Sequence, residues 1–315
     1  MCEVCQNTLT INAQYDPTRT TTLRNLFVRA MNKRFDALTK QIYTKIVTED
    51  CFGLDRLIQW NAVREQFLFP RSAQKVEAFM TWLRQQVAEG ILSVREYEQI
   101  GQSIDKAWTG LYITDSYKRG VIRARYELQK AGYIVPSIAA TGGIEMSMMI
   151  PLHMDRLGLL YTRTYSELKG ITSAMDTQIS RILAQGIADG DGPRLLARKM
   201  ISTINGSGMG DLAMTDKLGR FIPAKRRAET LARTEIIRAH HQAMIQEYKG
   251  WAVEGVFVQA EFLTAGDDRV CSICEGLEAG NPYTLDVAMN LIPVHPNCRC
   301  ICLPYEVGVD TLIKR

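Results

Sequence analysis

Apolar residues recur every three or four positions between Thr20 and Asp50: Leu23, Leu26, Phe27, Ala30, Met31, Phe35, Leu38, Ile42 and Ile46. That period keeps side chains on one face of a helix, so the stripe predicts one amphipathic helix of many turns. A second stripe runs from Ser72, placed to act as an N-cap, through Phe79, Leu83 and Val87 to Gly90. A third helix is expected from Ser93 through Ile100, Ile104, Trp108, Leu111 and Tyr112 into the basic run Arg119 to Lys130, stopping at Gly132. Between Gly132 and Pro151 the period lapses into Pro, Gly, Ser and Met. This reads as a linker or packed loop. The boundary between a helical N-terminal region, residues 1–150, and a second domain, residues 151–315, is therefore expected here. Met146, Met148 and Met149 within it are read as buried loop packing in preference to an adaptable contact surface.

A long helix is expected from Asp155 to Ala188, then a turn at Asp189-Gly190-Asp191-Gly192 and a helix opened by Pro193. Another helix is expected from Ala224 to Lys249, with Ala228, Leu231, Ala232, Ile236 and Ala239 giving a face small enough for close packing. On it Glu235 and Arg238 are three apart and can pair, whereas Arg233 and Glu235 cannot. Val253, Val256, Phe257, Val258 and Phe262, and then Arg299 to Tyr305, carry extended-chain signals. The expected fold is mainly α with a small α+β C-terminal domain: long N-terminal helices, and a short antiparallel sheet closed by a Cys/His cluster.

Two turns look functional and fail on inspection. Asp189 opens like a calcium loop, but its twelfth position is Met200, where a bidentate Glu is needed. Asn205 to Gly210 is glycine-rich without the Gly-Lys-Ser/Thr ending of a phosphate cradle and without a preceding strand.

Length and charge narrow the class. With 315 residues and a net charge of +4, the chain can bury a large core and lacks the dense basic character of a dedicated nucleic-acid binder. No secretory signal is visible, and Ser137 to Pro151 is too short and too interrupted to be a membrane segment. The expectation is synthesis in a host cytoplasm, where thiols stay reduced and clustered cysteines favour metal over disulfides.

The sequence has eight Cys and four His, and five of these twelve residues fall in two short motifs, residues 271–274 and 295–300. Cys271-Ser272-Ile273-Cys274 puts two thiols on one turn, and His295-Pro296-Asn297-Cys298-Arg299-Cys300 offers three further donors. Sulfur-rich sets of this kind close tetrahedrally around structural zinc, so Cys271, Cys274, His295, Cys298 and Cys300 are the candidate metal ligands. Five donors exceed four corners. Cys271, Cys274 and His295 are the firmest, and Cys298 and Cys300 compete for the fourth place, since residues two apart on an extended strand share a face. Disulfides, redox-active thiols and plain buried thiols are the competing readings. Neither a His-Glu-x-x-His helix nor the zinc-deaminase signature occurs. Asp267 and Asp268 are expected to cap the loop or pair with Arg269 or Arg299. A second Cys-x-x-Cys, Cys2 and Cys5, has no ligand pair following it and is read as coincidence.

These residues resemble a known family, the minor head proteins of tailed phages typified by the F protein of phage Mu. The resemblance lies in Ala232-Arg233-Thr234-Glu235, in Asp268-Arg269-Val270-Cys271-Ser272-Ile273-Cys274 with Leu277, in Tyr283, and in His295 to Cys300 with Pro304. It covers about half the chain, from Asp155 to Tyr305. It implies a structural virion protein without catalytic activity, associated with the portal ring and needed for head morphogenesis or genome packaging and delivery. Scaffold, major capsid protein and packaged DNA are further implied contacts. The Leu23 to Ile46 stripe is then expected to dock on the portal. Two other readings stand beside this one. One is a zinc-containing DNA-binding module using Lys225, Arg226, Arg227, Arg233 and Arg238. The other is a metal- or thiol-dependent enzyme with His240 and His241 beside Glu235, although such helix residues are more often on the surface or at a core edge.

Overall fold

A computed structural model describes residues 16–54, 69–99, 102–206, 222–253 and 259–305. Cys2 and Cys5, and most of the glycine-rich loop after Asn205, lie outside them. Helix α1 spans Thr21–Tyr43 and runs on into a π-helical turn, Thr44–Thr48. α2 spans Phe69–Gly90, starting three residues before Ser72, with Pro70 in its first turn where its missing N–H costs nothing.

The third expected helix is corrected at its start. Val94–Gln99 (β1) and Gln102–Ala107 (β2) form an antiparallel hairpin whose register pairs Tyr97 with Ile104, and α3 begins only at Gly110, ending at Lys130. The sequence carries Gly101 at the centre of this run, which weakens a helix, while Val94, Tyr97 and Ile104 suit a pleated ladder. After Gly132, at φ +87°, the linker holds a single 3-10 turn, Ala139–Thr141, and one short α-helix, α4 (Ile144–Met148). Met148 is buried there, whereas Met146 and Met149 are exposed, so loop packing accounts for one of the three methionines.

The second half follows the expected order, except that Val253, expected to be extended, ends a helix, while Val256, Phe257 and Val258 lie outside the described residues. α5 is Pro151–Ala188, α6 is Pro193–Asn205 with Pro at its first turn, and α7 is Ala224–Val253. β3 (Gln259–Leu263) pairs antiparallel with β4 (Ile301–Tyr305), matching Phe262 to Cys302. Two short helices without a sequence signature, α8 (Ser272–Ala279) and α9 (Leu285–Leu291), lie between them. The described chain is thus mainly helical, with a small antiparallel sheet near the C-terminus beside the Cys/His cluster.

The chain forms two compact units, each discontinuous in sequence: residues 1–27, 109–162 and 233–315 in one, and residues 28–108 and 163–232 in the other. Residue 150 falls inside a segment of the first unit, so a cut there divides the sequence without separating these bodies. The first unit is centred on Leu128, Ile237, Ile245, Tyr248, Phe262 and Met289, all buried. Within it Gly120 lets α3 lie directly against α7, since a Cβ there would stand 2.7 Å from Ala243 Cβ. In the second unit Trp108 donates its indole N–H to Ile91 O (2.8 Å) and Arg34 lies over the Trp108 ring. Leu23, Phe27, Met31, Phe35, Leu38, Ile42 and Ile46 are all buried within the chain. Leu26, the eighth large apolar residue of the stripe, is exposed.

Candidate metal centre

Cys271 stands at the N-cap of α8 and Cys274 in its first turn, so the four-residue spacing becomes one helical entry. A helix N-terminus directs unpaired N–H groups at whatever precedes it. The backbone N–H of Cys274 acts on Cys271 in this way, holding its thiol below the ordinary range. On the other side, Cys298 N–H donates to His295 O (3.1 Å) and closes a tight turn. Asn297 sits there at φ +60°, a conformation Asn tolerates better than most residues. Cys300 follows just before β4, so Cys298 and Cys300 precede the strand that was expected to carry them.

The fold brings all five predicted donors into two overlapping sets, Cys271/Cys274/His295 and Cys274/Cys298/Cys300, with the ligand atoms of each set within 4.8 Å of one another. Cys274 belongs to both. Tetrahedral zinc with N/S ligands needs donors about 3.5–3.8 Å apart, so each set approaches one face of such a tetrahedron. Cys274 Sγ lies 3.3 Å from His295 Nε2. His295 Nδ1 lies 2.9 Å from Pro296 O, and a carbonyl can only accept, so Nδ1 carries the hydrogen and, in the neutral ring, Nε2 faces the sulfurs with its lone pair. An outer hydrogen bond that fixes the tautomer this way is a hallmark of metal-binding histidine. The donor set is all nitrogen and sulfur and includes no carboxylate.

Electrostatics divides the thiols. The Cys300 thiol donates to Cys298 and, with the Cys300 backbone N–H, brings Cys298 down to about 5. The same hydrogen bond, together with burial, holds Cys300 protonated. Burial pushes Cys274 up to about 12. Cys298 is thus poised as a thiolate and Cys274 and Cys300 as thiols, so loading a metal here releases protons. Cys302, buried on β4 and also pushed up to about 12, is outside both donor sets and packs as a small hydrophobe.

The supporting contacts involve the other residues that the sequence singled out. Asp267 accepts from both Arg299 and Arg269. Thr234 on α7 accepts from the Asn297 backbone N–H (3.1 Å), joining two motifs 63 residues apart. Tyr283 exchanges two backbone hydrogen bonds of 2.8 Å with Ala260, covering the outer edge of β3, and its hydroxyl donates to Leu277 O (2.7 Å).

The other candidates fare differently. Glu235 pairs with Arg238 at 3.2 Å, as the spacing predicts. His240 and His241 lie inside the core, and burial pushes them down to about 3 and about 4. Of the proposed DNA-contacting cations, Lys225 pairs with Asp36 (2.5 Å) and Arg238 with Glu235.

Sequence reasoning missed a buried polar network. Arg125 donates from Nε to Glu247 Oε1 (2.5 Å), Trp251 Nε1–H donates to the same oxygen (2.9 Å), and His153 Nε2–H donates to Oε2 (3.0 Å). Tyr117 faces His153 Nδ1 at 3.0 Å, and Arg125 also reaches Thr141 and Ser147 in the linker. A signal existed. His153 leads the α5 stripe of Leu157, Leu160, Thr164 and Leu168, so a polar residue occupies a core position.

Residues 177–303 match the family described as Phage Mu protein F like protein. The resemblance carried by the C-terminal motifs therefore holds from residue 177, within the span expected from residue 155. No curated protein and no solved structure matches the chain. Among the described residues no helix is long and apolar enough to cross a membrane.

Proposed function

We propose that this chain is a structural minor head protein of a tailed phage, seated at the portal vertex, acting in head morphogenesis or genome packaging and delivery without catalysing a reaction. The family match carries this reading, because it covers the same segment that holds the Cys/His cluster, and the family points to a phage head-related protein. The portal ring is the proposed partner and the virion head the proposed location. Its C-terminal segment is proposed to hold one structural zinc through Cys271, Cys274, His295 and one of Cys298 and Cys300, whose donor chemistry and fixed histidine tautomer suit that ion. Zinc would supply a rigid tetrahedral crosslink between the α8 entry and the turn before β4.

Three experiments test the reading. Particles assembled in cells lacking this chain should be defective in head assembly or DNA content by electron microscopy, and full-length chain should co-purify with the portal ring. Normal infectious particles without it would end the proposal. Elemental analysis of the reduced full-length protein should return about one zinc per chain, and a metal-free protein insensitive to chelator would remove the zinc part alone.

A further inference from the structure

The donor cluster is split between two segments, one ending in α8 and one ending in β4, and a single carboxylate ties them together. Asp267 lies four residues before Cys271, while Arg299 lies between Cys298 and Cys300. Arg299 grips Asp267 with both arms, NH1 to Oδ2 and NH2 to Oδ1, each at 2.6 Å. Arg269 adds a backbone N–H to Oδ1 (3.2 Å) and a side-chain bond to Oδ2 (3.0 Å). The Asp267 side chain is only 4% exposed, and that of Arg269 is 64% exposed, so the Arg299 arm is the sheltered one.

A bidentate guanidinium–carboxylate pair fixes distance and orientation together, which a lysine point charge does not. The geometry assigns Asp267 as a positioning residue that holds the two donor-bearing segments in register, so that the cluster stands assembled before a metal enters. This rests on the proposed metal site. Binding to a preassembled site avoids the ordering cost that loose segments would bear, and outer-shell partners of metal ligands commonly change affinity by roughly 10- to 100-fold. The pair is not what holds the surrounding strands. Thr264 is tied to Glu278 through two bonds of 2.8 Å, Asn281 bonds Phe262 at both N–H and C=O, and β3 pairs with β4 independently. The domain therefore keeps its fold when Asp267 is neutralised.

The test uses the reduced full-length protein, zinc affinity by chelator competition, and cobalt(II) as a spectroscopic substitute. Asp267→Asn should weaken zinc binding roughly 10- to 100-fold, with the thiolate-to-cobalt absorption of the saturated protein unchanged, because the ligands themselves remain. Arg299→Lys, which keeps the charge and loses the fork, should weaken it comparably, and Arg269→Ala should change it little. Circular dichroism of the metal-free variants monitors the fold. Equal zinc affinity for wild type and Asp267→Asn would overturn the inference while leaving the metal site standing. An unaffected Arg299→Lys beside a weakened Asp267→Asn would replace the clamp with a simple charge effect and overturn it as well. A wild type that binds no zinc would instead remove the metal reading and this inference with it.

Discussion

The Cys/His cluster and the Arg125–Glu247–His153 network occupy the same compact unit and solve opposite problems. The network is complete: each Glu247 oxygen is satisfied, and Arg125 has a partner for each of its nitrogens. Burial alone would raise the Glu247 carboxyl, yet the hydrogen bonds from His153 and Arg125 outweigh it and hold it low. The cluster is the reverse, a gathering of donors in which the Cys298 thiolate and the Cys274 thiol face one another. A closed set of partners points to architecture. A convergence of electron-pair donors points to a ligand.

Chelation should produce the largest effect. Structural zinc sites carry on the order of 10 kcal/mol of apparent binding free energy, so stripping the metal should lower the melting temperature and expose the segment between β3 and β4 to protease. Cys271→Ser should reproduce this and be insensitive to chelator. No change on chelation would make the cluster as self-contained as the network and erase the contrast.

Glu247→Ala leaves the buried Arg125 guanidinium and His153 without their shared acceptor. Breaking a buried pair from one side costs about 3–5 kcal/mol, measurable by denaturant unfolding. Metal content should be unaffected. A cost within the range of surface pairs would show that the network is wetter than its burial implies.

His240 and His241 sharpen the comparison by pH. Burial holds them down to about 3 and about 4, so the unfolded chain, with histidines near 6.5, binds protons that the folded one refuses. Their contribution is fully present above pH 6.5 and is lost as pH falls toward about 4 and 3, at about 1.4 kcal/mol per pH unit for each histidine. Unfolding free energies at pH 7 and pH 5 should therefore differ by about 4 kcal/mol more in wild type than in the His240→Gln, His241→Gln double variant. An identical pH slope would show that water reaches α7 in the folded state.

Gly120→Ala is the mildest test. The new methyl meets α7 at Ala243 and the His240 carbonyl, and overpacking of this kind costs about 1–3 kcal/mol. Because α3 carries Arg125 and α7 carries Glu247, the variant should couple non-additively to Glu247→Ala. Strict additivity would separate helix approach from network geometry.

What the sequence determined by itself was whatever short-range spacing can encode. Leu23 to Ile46 set α1, Pro193 opened α6, and Cys-x-x-Cys with His-x-x-Cys-x-Cys named all five residues of the donor sets, because donors a few residues apart are held together by one turn. The run from Ser93 to Trp108 was misread because isolated apolar residues fit both periods, and the ladder between β1 and β2, unlike a stripe, is a pairing between segments. Tertiary structure alone decided that the α1 stripe faces inward, that Cys274 joins the two donor sets, and that Asp267 reaches across to Arg299. It also assembled Arg125, His153 and Glu247, which stand 122 and 94 residues apart in pairs. No local period records a contact between helices so distant in sequence; it exists only once α3, α5 and α7 have buried their faces, which leaves each polar group on those faces nothing but the others to bond.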